Sequence, residues 1–472
     1  MIQLNFLKGI MEKIGNNQSN YLRSFGSRIL CELNDLKRSP ATVADELGYS
    51  LEHVNSILDG QALESDYHEF INRMGRIYPV DHLQLCLLKD DTINGITYVS
   101  ANQSEKSKRV YTRIDRNKKQ SEYYEYRDTA MSKLALFKPE WIAVLREVEN
   151  SDPNNSDVVM NKGHFMHQIT LFIGPVNFYY EDSNGKMICC EMNTGDSNYI
   201  TPFVKHSFAS RDKDSFTCIL AVTFGESVSR AQRNLYALGI DALDSYTLSK
   251  NPRIATRQLI RQWMNNNLLT ESSLDSIIKK RKSNIDIREI LSTTRKITNE
   301  ECDVIASCLN VGTSDIIVPD NISPKDCVLK YISNTEPHDI LGETDRYKVY
   351  TLAQPENMPS VRSSILEVRT KEQNMEQPLQ KSLHTYIINF DKHPVELKWE
   401  HENKLYSKVL DQNDSVYLKP FVKFSFANTN EDKSRLLIVG ISTAVSISAQ
   451  KELSTFIEPR RTINELETWY DC

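Results

Sequence analysis

The sequence predicts an α+β protein, mainly β, in which a helical module followed by an antiparallel β-barrel occurs twice. Runs of alternating apolar and polar residues, separated by Asn, Asp, Gly and Ser turns, begin near residue 78 and again near residue 347. Such runs predict short antiparallel strands. The segment YITPFVKHSFA at Tyr199–Ala209 returns as YLKPFVKFSFA at Tyr417–Ala427, 218 residues later. A constant spacing of this kind indicates an internal duplication.

Length and composition limit the class of protein. With 472 residues the chain exceeds one ordinary core, and 40% hydrophobic and 25% charged residues are typical of a globular protein. The formal charge of −6 gives no reason to expect a nucleic acid or an anionic membrane as partner. No apolar run approaches the roughly 20 residues that span a bilayer, and the N-terminus lacks a signal-peptide pattern. We therefore expect a cytoplasmic protein.

Residues 1–75 are predicted to form a helical segment and a helix-turn-helix-like module. Residues 1–35 have helical spacing, and Ser39–Gly60 (SPATVADELGYSLEHVNSILDG) reads as two short helices joined by a turn. DNA binding is the obvious function of such a pattern. However, Ser39–Gly60 contains four acidic residues and no Lys or Arg, whereas phosphate contacts need cations. We expect a packing or oligomerisation module instead.

The rest of the chain is predicted to form three further parts. Residues 76–245 form the first barrel, with strands expected at LQLCLL, YEYRDTA, QITLFIGPVNFYY, KMICCEM and FTCILAVTFG. Residues 246–335 form a helical connection and a second helix-turn-helix-like segment at Ile297–Val318. In that segment Ala306 and Leu309 take the places of Ala44 and Leu47. Residues 336–472 form the second barrel.

Three residues of the first barrel are candidate metal ligands: His164, Gln168 and His206. In a straight strand His164 and Gln168 would lie ~13 Å apart, so they can share a metal only if the chain turns near Gly163. Two imidazoles and one side-chain oxygen are typical of non-haem Fe(II) oxygenases. A neutral Gln leaves the site more positive than a carboxylate would, which favours an anionic chelating substrate. His167, predicted on the opposite face, is the runner-up ligand; two structural histidines beside an incidental Gln are the other interpretation.

The second copy serves as a control within the chain. At the same spacing His206 becomes Phe424 and Gln168 falls near Tyr386, while only His384 survives from the GHFMHQ segment. Both copies keep the PFVK..SFA frame, so the fold needs that frame. The differing residues belong to a function of one copy only, and the second barrel is predicted to lack the metal site.

The pattern N-x-x-H-x-x-x-Q from Asn161 to Gln168, with PFVKH ending at His206, resembles the phosphonate-oxidising non-haem iron enzymes of the cupin fold. A helix-turn-helix module precedes the barrel in that family too. Its dioxygenases take a Glu ligand from the position that is Ile200 here. Gln168 and Ile200 together look most like the members that form methylphosphonate.

The resemblance implies the site and its ligands. Fe(II) would be held by His164, Gln168 and His206, without a further organic cofactor. The implied substrate-binding residues are Lys37, Arg116, Tyr126 and Asn161, and Lys37 and Tyr126 are the implied catalytic residues. Lys118 fits the spacing as well as Arg116. The lysine often comes from a neighbouring subunit in this family, so we expect a homo-oligomer.

The resemblance also implies the reaction: Fe(II)- and O₂-dependent oxidative C–C cleavage of 2-hydroxyethylphosphonate to methylphosphonate and CO₂. A close alternative is a dioxygenase that yields hydroxymethylphosphonate and formate. An alternative from another class is a transcriptional regulator built from a helix-turn-helix and a sensing cupin barrel, which the acidic Ser39–Gly60 segment disfavours.

Overall fold

The computed structural model describes residues 2–115, 118–225, 227–319, 326–339, 346–356, 358, 361–371, 375–429 and 433–469, and for residues 2–18 the backbone only. The chain forms two compact units, Met1–Asp91 with Ala444–Cys472 and Thr92–Thr443. The mixed helix-and-sheet fold predicted from the sequence is confirmed: helices make up the first unit, and sheets dominate the second. Within the described residues no helix is both long and apolar enough to cross a bilayer.

The first unit is helical. Its helices are Ile2–Leu36, Pro40–Leu47, Leu51–Leu58, Glu64–Ile77, His82–Leu85 and Ile447–Leu453, with a 3₁₀ turn at Pro459–Thr462. The expected helix-turn-helix forms because Ser39 and Ser50 cap the two short helices and Gly48 turns the chain at φ +72°. The strand expected at LQLCLL is wrong. Asp81 caps a short helix there by accepting a hydrogen bond from the amide of Leu83.

The second unit contains two β-sandwiches. The strands from the first half of the chain are Ile96–Val99, Arg109–Ile114, Gln120–Asp128, Phe137–Val144, His167–Ile173, Val176–Glu181, Met187–Met192, Ser197–Ile200, His206–Ser210 and Cys218–Phe224. Those from the second half are Cys327–Lys330, His338–Asp339, Tyr347–Thr351, Val361–Val368, Leu379–Gln380, His384–Asn389, Val395–His401, Lys404–Leu410, Ser415–Leu418, Lys423–Asn428 and Ser434–Ile441.

Each sandwich encloses its own core. In the first sandwich a seven-stranded sheet faces a three-stranded sheet across a core that includes Phe172, Ile200 and Phe208. In the second sandwich a seven-stranded sheet faces a four-stranded one. The outer faces of the two seven-stranded sheets pack against each other through a third apolar cluster. Residues along the central strands of the two seven-stranded sheets therefore alternate between a sandwich interior and this shared layer.

The two sandwiches exchange one strand each. Ile96–Val99 pairs with Ser415–Leu418 in the second sandwich, and Cys327–Lys330 pairs with Ser197–Ile200 in the first. Both exchanged strands lie just before the other strands of their own half along the chain. The exchange links the two halves through backbone hydrogen bonds as well as through the apolar layer.

Helices complete the second unit. They are Ala101–Lys106, Ser227–Leu238, Ile240–Tyr246, Pro252–Asn266, Glu271–Lys280, Ile287–Ser292 and Asn299–Leu309, with 3₁₀ turns at Thr313–Asp315 and Ile332–Asn334. Ala306 and Leu309 are buried, as are Ala44 and Leu47 in the first helical segment. The second helix of the expected helix-turn-helix is reduced to the turn Thr313–Asp315, because the β-branched run Ile316–Val318 and Pro319 follow at once.

Candidate metal centre

The three candidate ligands come together inside the first sandwich. His164 lies just before the strand that begins at His167, and the expected turn is present, with Gly163 at φ +75°. Any Cβ at Gly163 would lie 2.4 Å from the carbonyl carbon of Phe203, so only glycine fits. His164 Nε2 lies 3.1 Å from Gln168 Oε1, and the rings of His164 and His206 are 5.2 Å apart at 85°.

Both histidines have a fixed tautomer. His164 Nδ1 donates to the carbonyl of Met166 at 2.7 Å, and His206 Nδ1 donates to the carbonyl of Val204 at 2.8 Å. In a neutral imidazole this leaves the lone pair on Nε2, the atom through which such an imidazole can bind a metal. Burial lowers the pKa of His206 to about 4 against the opposing effect of the Val204 carbonyl, so that this ring is neutral at pH 7. A metal can bind it without displacing a proton.

The side-chain amide of Gln168 completes the donor set. Its Nε2 donates to Thr170 Oγ1 at 2.8 Å, which turns Oε1 toward His164 Nε2. Two lone-pair atoms 3.1 Å apart repel each other unless a cation lies beside them, so the residues fit a divalent metal. Among the residues that the structure describes, no group of three His, Cys, Asp or Glu could hold a metal. An amide oxygen is therefore the distinguishing donor of this site.

Asn161 is fixed beside the histidines. Its Oδ1 accepts hydrogen bonds from the amides of Gly163 and His206, both at 2.9 Å. Its Nδ2 consequently faces the site and donates to the unprotonated His206 Nε2 at 3.0 Å, a hydrogen bond that a metal at this atom would replace. The side chain thus presents an N–H donor next to the candidate ligands, where it can bind an anionic group.

His167 lies on the other face of the strand, as expected. Its ring stacks on Tyr199 and Phe224 in the layer between the sandwiches, and its Nδ1 lies 2.8 Å from the hydroxyl of Tyr199. Burial lowers its pKa to about 4. The runner-up ligand is therefore directed away from the other three residues.

Ile200 lies directly opposite Gln168 on the neighbouring strand. It is fully buried in the first sandwich. Side chains opposite each other on adjacent strands have Cβ atoms about 5 Å apart. An oxygen donor at either position would thus approach the same point. Ile200 has no side-chain oxygen, whereas Gln168 has its amide oxygen.

Tyr126 lines a cavity of about 320 Å³ in the first sandwich. The other residues lining it are Arg109, Tyr111, Thr112, Arg113, Tyr124 and Glu140. Burial, with a smaller contribution from Glu140, raises the pKa of Tyr126 to about 12. Its phenol therefore stays protonated at neutral pH and can donate to an anion.

One cation close to this region, Arg113, was not singled out from the sequence. Arg113 packs against the rings of Tyr123 and Tyr124 and hydrogen-bonds Ser207, next to His206. Its charge also lowers the pKa of His206. The alternation of side chains in RVYTRI could have indicated this residue, because Arg109 and Arg113 both line the cavity. The predicted Arg116 lies outside the described residues, and Lys118 is exposed in a hairpin turn at φ +63°.

Lys37 belongs to the first unit, at the end of the long helix Ile2–Leu36. It has the left-handed φ of +59°, and its Nζ donates to the carbonyl of Asn34 at 3.2 Å. The Nζ also lies 4.4 Å from the centre of the Trp469 ring. The C-terminal segment thus fixes this lysine, since Asn34 itself hydrogen-bonds the backbone of Glu467 and Trp469.

The second sandwich shows what replaces the site residues. Phe424 takes the place of His206. Leu379, which pairs with Phe424 across the strands, takes the place of Asn161, which hydrogen-bonds the backbone of His206. Lys381 replaces His164, because its carbonyl accepts a hydrogen bond from the amide of Phe421 just as the carbonyl of His164 accepts one from Phe203. Burial lowers the pKa of Lys381 to about 8. The counterpart of Gln168 is Thr385, opposite Leu418, and not Tyr386 as expected. The strands shift by one residue, which puts Tyr386 on the outer face.

Known proteins resemble this chain over nearly its whole length. Methylphosphonate synthase from Nitrosopumilus maritimus (strain SCM1) is 36% identical over 467 residues, which are 98% of each protein. The structure of Streptomyces albus HEPD with 2-hydroxyethylphosphonate and Fe(II) bound is 28% identical, with a TM-score of 0.86 over 95% of this chain and 99% of that one. A 2-hydroxyethylphosphonate dioxygenase variant, 18% identical over 93% of this chain and 99% of its own, shares the fold with a TM-score of 0.72. No protein-family model matches the sequence. The identity and coverage of the first relative show that the chain belongs to the methylphosphonate synthase family.

Proposed function

We propose that this protein is a non-haem iron dioxygenase that converts 2-hydroxyethylphosphonate and O₂ to methylphosphonate and CO₂. The observation that carries the proposal is the donor set: the Nε2 atoms of His164 and His206, whose Nδ1 atoms donate to backbone carbonyls, together with the amide oxygen of Gln168. The Streptomyces relative has Fe(II) and the same substrate bound. Iron supplies the one-electron chemistry that lets O₂ react with a C–H bond.

The surrounding residues are proposed to hold the phosphonate. Asn161 offers an N–H donor beside the ligands, and Tyr126 offers a protonated hydroxyl from the cavity wall. Lys37 and Arg116 are proposed substrate contacts by family resemblance, and Arg113 joins them because its charge acts at His206. Hydrogen bonds from charged donors suit a dianion, whose negative charge also compensates for the neutral Gln168.

We further propose that the two sandwiches are cupin barrels and that only the first holds iron. Leu379, Lys381, Thr385 and Phe424 at the corresponding positions support this, because none offers an imidazole or a carboxylate. The four parts 1–75, 76–245, 246–335 and 336–472 are proposed as the repeating modules, with one strand exchanged between the barrels. A homo-oligomeric state and a cytoplasmic location stay predictions from the sequence.

A second candidate product is hydroxymethylphosphonate, formed together with formate. The similarity to the Streptomyces HEPD structure favours it. Gln168 and Ile200 favour methylphosphonate, since the family's dioxygenases carry a Glu at the position of Ile200. The two reactions start from the same substrate and oxidant, so the product alone separates them.

Phosphorus NMR tests the proposal. Protein loaded anaerobically with Fe(II) is mixed with 2-hydroxyethylphosphonate and air, and one new phosphorus signal, that of methylphosphonate, is expected. His206→Phe introduces the residue that the second copy carries, so the fold should persist while turnover disappears. Absence of turnover by the unchanged protein, or equal turnover by the variant, would contradict the proposal.

A further inference from the structure

A strip of polar side chains continues from the metal centre into the first sandwich. We propose that Thr170 and Asn198 are positioning residues that hold the amide of Gln168 with its oxygen toward the metal. This inference rests on the proposed role of Gln168 as a ligand. An amide has one acceptor end and one donor end, whereas both oxygens of a carboxylate accept. An amide can therefore replace a carboxylate as a metal ligand only if its oxygen is held toward the metal.

The strand register places the residues side by side. Thr170 lies directly opposite Asn198, just as Gln168 lies opposite Ile200. Residues two apart on a strand share a face, and this face is the sandwich interior because Phe172 and Ile200 belong to its core. Thr170 and Asn198 are both completely buried. They therefore lie directly behind Gln168.

The Thr170 hydroxyl accepts a hydrogen bond from Gln168 reliably only if its own proton is donated to another group. This hydroxyl accepts the Nε2–H of Gln168 at 2.8 Å, but a hydroxyl could equally donate to a flipped amide. An acceptor for the Thr170 proton removes that choice. In the described structure neither Oδ1 nor Nδ2 of Asn198 has a hydrogen-bond partner, which is costly for a buried amide. Asn198 Oδ1 can accept the Thr170 proton through one buried water or after a rotation of its side chain. Gln168 Oε1 then faces the imidazole of His164.

The second sandwich shows that the fold does not need this polar pair. At the corresponding opposite positions it carries Ile387 and Val416, and both belong to its apolar core. An apolar pair thus fills the same place in the same architecture. The polar pair occurs only in the copy whose neighbouring residue is Gln168.

Two substitutions test the proposal through metal binding rather than turnover. Thr170→Val keeps the shape and removes the hydroxyl, and Asn198→Val introduces the residue of the second copy. Each is expected to weaken Fe(II) binding by about 10- to 100-fold in an anaerobic titration, as loss of an outer partner of a metal ligand does. The metal-free protein should unfold at the same or a higher urea concentration. Thr170→Ser should restore wild-type affinity.

A second background separates positioning from a general packing effect. Gln168→Glu supplies a carboxylate, which offers an acceptor oxygen in either orientation. In that background Thr170→Val should weaken Fe(II) binding less than it does in the unchanged chain, because a carboxylate needs no donor to choose which end faces the metal. Equal losses in both backgrounds, or a loss of metal-free stability with unchanged affinity, would overturn the inference. Absence of Fe(II) binding by the unchanged chain would instead overturn the proposed function on which it rests.

Discussion

Gly163 decides whether His164 can reach the other two ligands. Its φ of +75° and its close approach to Phe203 exclude a side chain. Phe203 itself has φ +65°, and its counterpart Phe421 has the same value. Both copies therefore keep a strained turn at the PFVK frame. In the first copy, this turn holds the carbonyl of His164 through a 2.8 Å hydrogen bond.

We predict that Gly163→Ala weakens metal binding and folding together. A left-handed alanine alone costs about 1–2 kcal/mol. Gly185 provides a matched control, since it has φ +78° and nothing within 4 Å of its Cβ position. Gly163→Ala should lower the free energy of unfolding by about 1–3 kcal/mol more than Gly185→Ala, because its methyl group also meets backbone. Equal losses in urea titrations of the metal-free proteins would show that the close approach is unimportant.

At the scale of single residues, the sequence predicted the side chains whose direction follows from regular strand geometry. The turn at Gly163 and the outward direction of His167 followed from strand alternation and one glycine. The cation near the site did not, because Arg113, Arg116 and Lys118 are close in sequence and only the hairpin decides which points inward. The one-residue shift that makes Thr385 rather than Tyr386 the counterpart of Gln168 was equally invisible, since both copies align well without it.

At the scale of elements, the strand that follows the first site turn has a counterpart that begins with His384. This histidine is buried, and its Nδ1 lies 2.7 Å from the hydroxyl of Tyr417, as His167 does from that of Tyr199. Burial, with a smaller contribution from Arg230, lowers the pKa of His384 to about 4. The pair His384–Tyr417 therefore belongs to the fold and not to metal binding.

We predict that His384 makes the protein sensitive to acid. An unfolded histidine takes up a proton below about pH 6.5, whereas the folded one stays neutral down to about pH 4. Stability linked to this group is thus present above pH 6.5 and is lost as the pH falls toward 4, by at most about 3 kcal/mol. Urea titrations of wild type and His384→Phe at pH 7 and pH 5 measure it. The loss on acidification should be smaller in the variant; identical losses would contradict the assignment.

Strand boundaries were the weaker part of the sequence prediction. The run LQLCLL has the composition of a strand, but Asp81 caps a helix there. The exchanged strands, such as Ile96–Val99, could not have been foreseen. Their pairing partners lie more than 120 residues away, and alternation within a strand says nothing about which sheet it joins.

At the scale of the whole molecule, the two sandwiches contain one proposed metal centre and one counterpart without an imidazole or a carboxylate. The two seven-stranded sheets share a continuous apolar layer, so the second sandwich supports the first whether or not it binds anything. The internal repeat, read from the PFVK segments alone, predicted this division of tasks. It could not predict that each sandwich borrows a strand from the other half.

We predict one metal ion per chain. Metal analysis of Fe(II)-loaded, desalted protein should give close to one equivalent, and His206→Phe should remove it. Phe424→His should not add a second equivalent, because Leu379, Lys381 and Thr385 offer no companion imidazole or carboxylate. Two equivalents in the unchanged protein would contradict the proposed division between the barrels.

The central claim is that the centre of His164, Gln168 and His206 cleaves 2-hydroxyethylphosphonate to methylphosphonate. The most direct test follows the hydroxyl-bearing carbon of the substrate after labelling it with ¹³C. One O₂ takes four electrons from the substrate as a whole, which balances as methylphosphonate, CO₂ and water. Carbon NMR should therefore show the label as CO₂ and bicarbonate while phosphorus NMR shows methylphosphonate. Label recovered as formate, together with hydroxymethylphosphonate, would contradict the claim.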